Sequence, residues 1–316
     1  METVIVANPR AAAGRVGKQW QELQASITGA IGPAVGKLTE AMGDATRLTR
    51  QALSDGADRI VAVGGDGTIN EVVNGFFDEA GKPPAQDATL VVYPAGTGGD
   101  FVRSIGLSNV DPAVAFKDAE ERRVDVGKAV LTGHDDRELT RYFINISSFG
   151  SSGLIVDKVN KTTKIFGGKA SFYIGTLKGL LAYTNQRIRL RVDDHYDEEV
   201  VINTVAVANG RFFGGSMMVA PQAIIDDGKL DVTIIGDVGV AKFIRYSGAI
   251  YEGKHLDFPE ISGTRGAAVT ATPLGKTPVL VDVDGEQPGK LPVRYEVMPQ
   301  AIKLLAPWSQ ARAIER

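Results

Sequence analysis

Three glycines enclose a single carboxylate in Ala62-Val63-Gly64-Gly65-Asp66-Gly67-Thr68-Ile69-Asn70-Glu71-Val72-Val73-Asn74-Gly75, the makings of a phosphate seat. Glycines let backbone N–H groups approach an anion with no Cβ in the way, and a helix opening from the turn adds its positive end. Asp66 can hold the magnesium that accompanies a nucleotide. Pro94-Ala95-Gly96-Thr97-Gly98-Gly99-Asp100-Phe101 repeats the plan, with glycines, Thr97 and Asp100 at the start of another helix. A third acidic stretch is Asp282-Val283-Asp284-Gly285-Glu286. Strand alternation predicts Val279, Val281 and Val283 on one face and Asp282, Asp284 and Glu286 on the other, unless Gly285 breaks the strand. Asp226-Asp227-Gly228-Lys229 reads by itself as a capped hairpin turn.

The elements that must carry these residues follow from apolar runs. Arg59 to Val63 predicts a buried parallel-type strand, and Ile69, Val72, Val73 and Phe76 recur at helical spacing behind Thr68 as N-cap. Before it, Val4 to Ala7 reads as a strand, residues 8–15 as a flexible basic loop, and the stretch through Trp20 and Leu23 as a helix. Val35 to Leu38 leads into Thr39, and Asp44 caps a helix carrying Ala45, Leu48 and Leu53. With Thr89 to Tyr93, strands and helices alternate as in an open parallel α/β sheet, whose ligands sit at the carboxyl ends of the strands. The loops at 8–15, 39, 64–68 and 96–100 then share one rim.

After Asp125 the pattern changes. Val124 to Leu131 and Arg141 to Ile146 flank a polar tip at Asp135-Asp136, which predicts a hairpin. Runs at Arg187 to Val192, Val200 to Ala208, Lys229 to Ile235, Ala267 to Thr272, Pro278 to Val283, Val293 to Met298 and Ala301 to Leu305 predict a mainly antiparallel β-sandwich. Helical insertions are expected near 157–184 and 240–253. The expected division is an α/β nucleotide-binding domain over 1–124 and a β-sandwich domain over 125–316, the last residues free to return to the first.

With 316 residues and 43% hydrophobic content, the chain can build two domains with cores of their own. Cysteine is absent, which excludes disulfides, thiolate metal sites and a cysteine nucleophile and fits a cytoplasmic protein. The first residues lack a signal-peptide plan, and no stretch has the apolar length of a membrane span. A net charge of −3 gives no global pull on nucleic acid. His134, His195 and His255 stand in polar segments at no ligand spacing and read as surface residues.

From Asp157 to Arg191 one acidic residue faces eight basic ones: Lys158, Lys161, Lys164, Lys169, Lys178, Arg187, Arg189 and Arg191. Phe172, Tyr173, Leu177, Leu180, Leu181 and Tyr183 give its middle a helical apolar stripe. Two readings stand: a basic amphipathic helix at an anionic membrane surface, or a helix packed on the sandwich with a solvated lysine face.

Taken in order, Asn8-Pro9, the Gly64 to Gly75 turn, Pro94-Ala95-Gly96-Thr97 with Asp100-Phe101, Asp226 to Asp231 and Asp284-Gly285-Glu286 resemble the diacylglycerol kinase catalytic-domain family. These are bacterial lipid kinases related to sphingosine and ceramide kinases. Gly-Gly-Asp-Gly-Thr alone is shared with NAD kinases and is similar to a phosphofructokinase motif. The resemblance implies ATP against Asn8, Pro9, Arg10, Ala11, Ala12, Thr39, Gly64, Gly65, Asp66, Gly67, Thr68, Asn70, Glu71, Gly96 and Thr97, with Asp66 and Asp100 near the phosphates and magnesium. It adds Asp125 to a magnesium-water network and nominates Glu286, with Asp284 beside it, as the base; Asp66 is the rival. It also implies a second, structural magnesium held by Asp227 and the carbonyls of Ile224 and Lys229. Two departures stand out: Gly99 where the family usually has Asn, and Ala12-Ala13-Gly14 where it has Ser-Gly.

The function so implied is an ATP- and magnesium-dependent kinase acting on a membrane lipid, most simply diacylglycerol, in peripheral contact with an anionic membrane. No nucleic acid partner is expected, and a homodimer stays open. A NAD kinase and a non-catalytic lipid or nucleotide sensor with the same fold are the alternatives.

Overall fold

The computed structural model describes residues 2–78, 81–83, 87–95, 99–108, 116–166 and 183–308. The chain divides into two compact units, Met1–Val126 with Pro299–Arg316, and Gly127–Met298.

In the first unit, near-continuous apolar runs make strands buried along their length, as parallel strands covered on both faces must be. These are β1 (Thr3–Ala7), β2 (Val35–Leu38), β3 (Arg59–Gly64) and β4 (Thr89–Pro94), with the exposed edge strand β2 the exception. The last residues of β15 (Glu286–Ala306) complete a parallel sheet in the order β2-β1-β3-β4-β15. Helices α1 (Arg15–Lys18), α2 (Trp20–Ile31), α3 (Asp44–Ser54), α4 (Asp66–Gly75) and α5 (Asp100–Ser104) connect them. Ile5, Val61, Val63, Val91 and Tyr93 pack with Val16, Ile27 and Phe116 in a single core cluster. The chain runs from β1 outward to β2 and then back to β3 on the other side of β1. A reversal of this kind opens a crevice at the carboxyl ends of β1 and β3.

Three local expectations are corrected. Helix α4 begins at Asp66 with Gly65 as N-cap, not behind Thr68. A Cβ on Gly64 would lie 2.4 Å from the Thr68 hydroxyl, so only glycine lets that side chain fold back over the strand end. Asp44 is the first residue of α3 rather than its cap; its Oδ2 accepts the N–H groups of Glu40 and Ala41 at 2.9 and 3.1 Å. The loop after β1 contains a defined turn that the sequence did not suggest, Ala12, Ala13 and Gly14 taking left-handed φ of 51, 58 and 81°.

The second unit is antiparallel. β5 (Glu120–Gly133) and β6 (Glu138–Phe143) make the hairpin about Asp135-Asp136. They are followed by β7 (Ile146–Gly150), α6 (Ser151–Phe166), β8 (Gln186–Val192), β9 (Tyr196–Ile202), β10 (Thr204–Ala208), β11 (Leu230–Ile235), α7 (Val240–Tyr251), β12 (Ile261–Gly266), β13 (Ala268–Pro273) and β14 (Leu280–Val283). One run of strands is β12-β11-β10-β7-β14-β15, and β9-β8-β13 joins the same β15 farther along. Their inward residues form one cluster, from Leu131, Phe143 and Phe149 to Ile188, Val232, Val281 and Tyr295. The strand expected over Val200 to Ala208 is two strands. Asn203 separates them, its N–H turned to the carbonyls of Ile235 and Gly236 at 2.9 Å each.

Among the described residues no helix is long and apolar enough to cross a membrane. His255 is corrected from surface to core: it is fully buried, and its Nε2 lies 3.0 Å from the Val219 carbonyl oxygen. Burial holds its pKa below the usual imidazole value.

Candidate active site

Open glycines mark the end of β3. A Cβ on Gly65 or Gly67 would meet nothing within 4 Å, and no side chain caps the N-terminus of α4. First-turn N–H groups of a helix have no partner inside it, so the turn presents donors and a positive dipole end outward. Asn8 fixes the neighbouring loop to this turn. Its N–H donates to the Val63 carbonyl at 3.0 Å, its Nδ2 to Thr68 Oγ1 at 3.4 Å, and its Oδ1 accepts the Arg10 N–H at 2.9 Å. Ala11 N–H returns to the Asn8 carbonyl at 3.0 Å, and Thr39 N–H reaches the Ala7 carbonyl at 2.9 Å. Asn8, Pro9, Arg10, Ala11, Ala12, Thr39 and residues 64–68 therefore gather at the carboxyl ends of β1, β2 and β3.

Asp66 joins this turn to the next. Its Oδ2 accepts the Asp100 N–H at 3.0 Å and its Oδ1 the Phe101 N–H at 3.3 Å. Burial pushes the Asp66 carboxyl up to about 6; the two N–H bonds pull it down, and the charge of Asp100 adds to the rise. Gly99 stands directly against this carboxylate, for a Cβ there would lie 3.1 Å from Asp66 Oδ1 and 3.1 Å from Val102 Cγ2. Gly96 and Thr97 lie outside the described residues. Asp125 is fully buried, and its Oδ1 accepts the Gln300 N–H at 2.7 Å.

Two residues that the resemblance sets beside ATP have structural partners. Glu71 accepts the N–H groups of Gly43 and Ala45 at 3.0 Å each, one on each carboxylate oxygen, and so braces the start of α3. Asn70 is buried, and its carbonyl accepts Asn74 Nδ2 at 2.9 Å.

In the second unit the acidic stretch is a hairpin, which corrects the alternating face expected for it. Val283 pairs with Glu286, and the two residues between, Asp284 and Gly285, have φ of 47 and 87°, as a tight primed turn requires. Asp284 accepts three backbone N–H groups, from Ile144 at 3.0 Å, Asn145 at 3.2 Å and Ile146 at 2.8 Å. Asp282 is buried; its Oδ1 accepts the Gly285 N–H at 2.8 Å and its Oδ2 lies 3.0 Å from Ser148 Oγ. Neither Asn145 nor Ser148 carries a motif that sequence reading could have found. They enter because β7, itself unexpected, lies beside β14 with Ser148 opposite Asp282.

In the Asp226-Asp227 turn the Asp227 carboxylate is engaged at both oxygens. Asp227 Oδ1 accepts the Lys229 N–H at 3.1 Å, and its Oδ2 is ion-paired with Arg265, which also lies 3.3 Å from Asp231. Ile224 is 45% exposed. Among the described residues no group of three or more His, Cys, Asp or Glu could hold a metal ion. The basic run is also altered. Arg187 pairs with Glu199, and Arg189 and Arg191 pair with Asp197 on β9. Lys161, Lys164, Lys169, Lys178 and the apolar stripe up to Leu181 lie outside the residues whose side chains are described.

A parallel α/β unit with an open glycine turn, followed by an antiparallel β-sandwich-like unit with an acidic hairpin, is a two-domain fold shared with diacylglycerol kinase-like proteins. Residues 2–129 match the diacylglycerol kinase catalytic domain, and residues 145–306 match the YegS C-terminal NAD kinase beta sandwich-like domain. The chain belongs to the diacylglycerol kinase catalytic-domain family and is a lipid kinase of that type. It is similar to a diacylglycerol kinase of Bacillus subtilis, 28% identical over 281 residues, covering 88% of this chain and 87% of that one. Diacylglycerol kinase of Mycobacterium tuberculosis is 29% identical over 269 residues, 84% of this chain and 82% of the other. In fold the chain is similar to a crystal structure titled as a putative diacylglycerol kinase from Bacillus anthracis, with a TM-score of 0.74, 24% identity and 96% of each chain covered.

Proposed function

We propose that this protein is an ATP- and magnesium-dependent kinase that transfers the γ-phosphoryl group to the hydroxyl of diacylglycerol, giving phosphatidic acid. The observation that carries the reading is Asp66, held beside an open glycine turn and tied to the start of α5. Its raised pKa marks a negative charge that burial disfavours and that no cation among the described residues offsets, the setting a divalent ion with waters would relieve. Asp66 and Asp100 therefore fit magnesium, which when bound neutralises phosphate charge during transfer.

The chain's own residues do the rest. N–H groups at the start of α4 and in the left-handed turn after β1 hold phosphate oxygens, and Thr39 and Asn8 frame the nucleotide. Asp125, buried within β5, supports this network. Glu286 accepts the proton of the lipid hydroxyl, with Asp284 clamping the turn that carries it. The lysines of 158–178 meet an anionic bilayer, which puts the enzyme in the cytoplasm at the membrane surface. A sensor without turnover would have no need for Asp66, Asp100 and Glu286 together. A NAD kinase is disfavoured because the relatives matching more than four-fifths of the chain carry the name diacylglycerol kinase.

Labelled ATP offered with diacylglycerol, monoacylglycerol, sphingosine, ceramide and phosphatidylglycerol in mixed micelles tests the substrate. Labelled phosphatidic acid is the expected product; label in another lipid alone, or in NAD alone when NAD is added to the panel, rejects the assignment. Glu286→Gln is expected to reduce turnover by about a hundredfold or more while ATP binding by calorimetry changes little.

A further inference from the structure

Ile144 and Asn145 link β6 to β7, and β7 runs between β10 and β14, so three chain segments meet at this link. On one side is the hairpin turn that precedes Glu286. Its Asp284 carboxylate accepts the N–H groups of Ile144, Asn145 and Ile146, and its own N–H donates to the Ile146 carbonyl at 3.0 Å. On the other side is the loop after β10. The Asn145 carbonyl accepts the N–H groups of Asn209 and Gly210 at 2.8 Å each, and Asn209 Nδ2 donates to the Ile144 carbonyl at 2.7 Å. The Asn145 side chain adds a further tie, its Nδ2 donating to the Phe212 carbonyl at 2.9 Å. Asn145 is 5% exposed, and its Oδ1 is buried with no hydrogen-bond partner among the described residues. Turning the amide over would set Oδ1 against the Phe212 carbonyl, so the donor belongs where it is.

We propose that Asn145 is a positioning residue for Glu286: its N–H and its side-chain amide tie the Asp284-Gly285 turn to the 209–212 loop and so fix where the Glu286 carboxylate stands. The inference rests on Glu286 as the proton acceptor of the proposed reaction. Val283 pairs with Glu286 across the two-residue turn, so a shift of Asp284 passes directly to Glu286. A tight turn at the end of the four-residue strand β14 has little stiffness of its own, and the junction supplies it. The orphaned Oδ1 supports a role beyond packing. A buried acceptor without a donor costs stability, and an apolar residue of similar size would avoid that cost but lose the donor that holds Phe212. Proton acceptance depends steeply on placement, so a displaced base slows the chemical step and leaves the affinity for ATP as it was.

The test is turnover of labelled ATP with diacylglycerol in mixed micelles for the wild-type protein, Asn145→Asp, Asn145→Ala, Glu286→Gln and each Asn145 variant combined with Glu286→Gln, with melting temperatures alongside. Asn145→Asp keeps the shape and the main-chain bonds but sets a carboxylate oxygen against the Phe212 carbonyl; Asn145→Ala removes the amide outright. Each is expected to lose about tenfold in kcat, with KM for ATP within about twofold of the wild type. Single-turnover labelling with enzyme in excess reads the slow residual rate of Glu286→Gln. In that background the Asn145 variants should lose no more than about twofold further, because a residue acting through Glu286 then has no base left to position. A loosened fold would give the same loss in both backgrounds. The positioning role is overturned by the full loss recurring in the Glu286→Gln background, by wild-type kcat in both single variants, by KM for ATP rising as much as kcat falls, or by failure of both to fold. Each of these stands even where Glu286→Gln is impaired as expected. Wild-type turnover by Glu286→Gln overturns the base assignment and this role with it.

Discussion

The carboxylate of Asp66 accepts the backbone N–H of Asp100 at 3.0 Å, so the turn after β3 and the helix start after β4 are tied main chain to side chain. Removing that carboxylate strips acceptors from two N–H groups, those of Asp100 and Phe101, besides removing the proposed magnesium ligand. Asp66→Ala is expected to abolish phosphoryl transfer while circular dichroism shows the fold retained. Wild-type turnover from that variant would refute the site.

The same carboxylate sets a pH dependence. With the folded pKa raised from 3.8 to about 6, Asp66 is protonated below that value, and magnesium-ATP binding should weaken as pH falls through about 6. Calorimetric titrations from pH 5 to 8 would measure it. Between about 4 and 6 the folded chain holds a proton that the unfolded chain has released, so this group lowers stability as pH rises across that window. Asp66→Asn should remove both effects.

Gly99 has an extended backbone, φ −126 and ψ 138°, which any residue can adopt, so its lack of a side chain concerns space. A Cβ there must displace Asp66 or Val102 by a few tenths of an ångström. Gly99→Ala and Gly99→Asn are therefore both expected to raise KM for ATP, by roughly three- to tenfold given how steeply catalysis depends on placement. A lower KM for Gly99→Asn alone would mean that the family's amide contact outweighs the crowding.

Arg265 pairs with Asp227, the carboxylate that the resemblance gave to a structural magnesium. It lies directly opposite Asp231 across the β11–β12 pair and bonds Asp227 as well. Without nucleotide, magnesium should leave the melting temperature of the wild type unchanged, and Arg265→Ala should lower it. A magnesium-dependent rise that vanishes in Asp227→Ala would restore the metal.

Vesicle binding separates the lysines from the arginines. Arg187, Arg189 and Arg191 are already paired with Glu199 and Asp197, so neutralising them should change binding to anionic vesicles little. Replacing Lys161, Lys164, Lys169 and Lys178 should weaken it by about 1 kcal/mol per charge, and salt should do the same. Equal binding to neutral and anionic vesicles would rule out the electrostatic contact.

The central strands of the parallel sheet are legible because they are unbroken apolar runs, and the glycine turn after β3 because glycines cluster where such a run ends. The acidic hairpin was half legible. Gly285 is the residue that could break the strand, but periodicity alone does not say whether a glycine ends a strand or merely sits in it. Roles set by distant partners are invisible in the sequence: the brace that Glu71 gives to α3 shows only once Gly43 and Ala45 are brought to it, and His255 reads as exposed until Val219 lies against it. Ser148 and Asn145 lie on and beside a strand whose serines hid its periodicity.

The long strand β15 has a consequence for the order in which the protein comes into being. Lys303, Leu304 and Leu305 pair with Thr89, Leu90 and Val91, so the first unit's sheet waits for residues translated after the whole of the second unit. Until then β4 offers an unpaired apolar edge, the kind of surface that invites chaperones or wrong partners. A ribosome paused near residue 298 would carry a nascent chain whose second unit is complete and whose nucleotide unit is still one strand short.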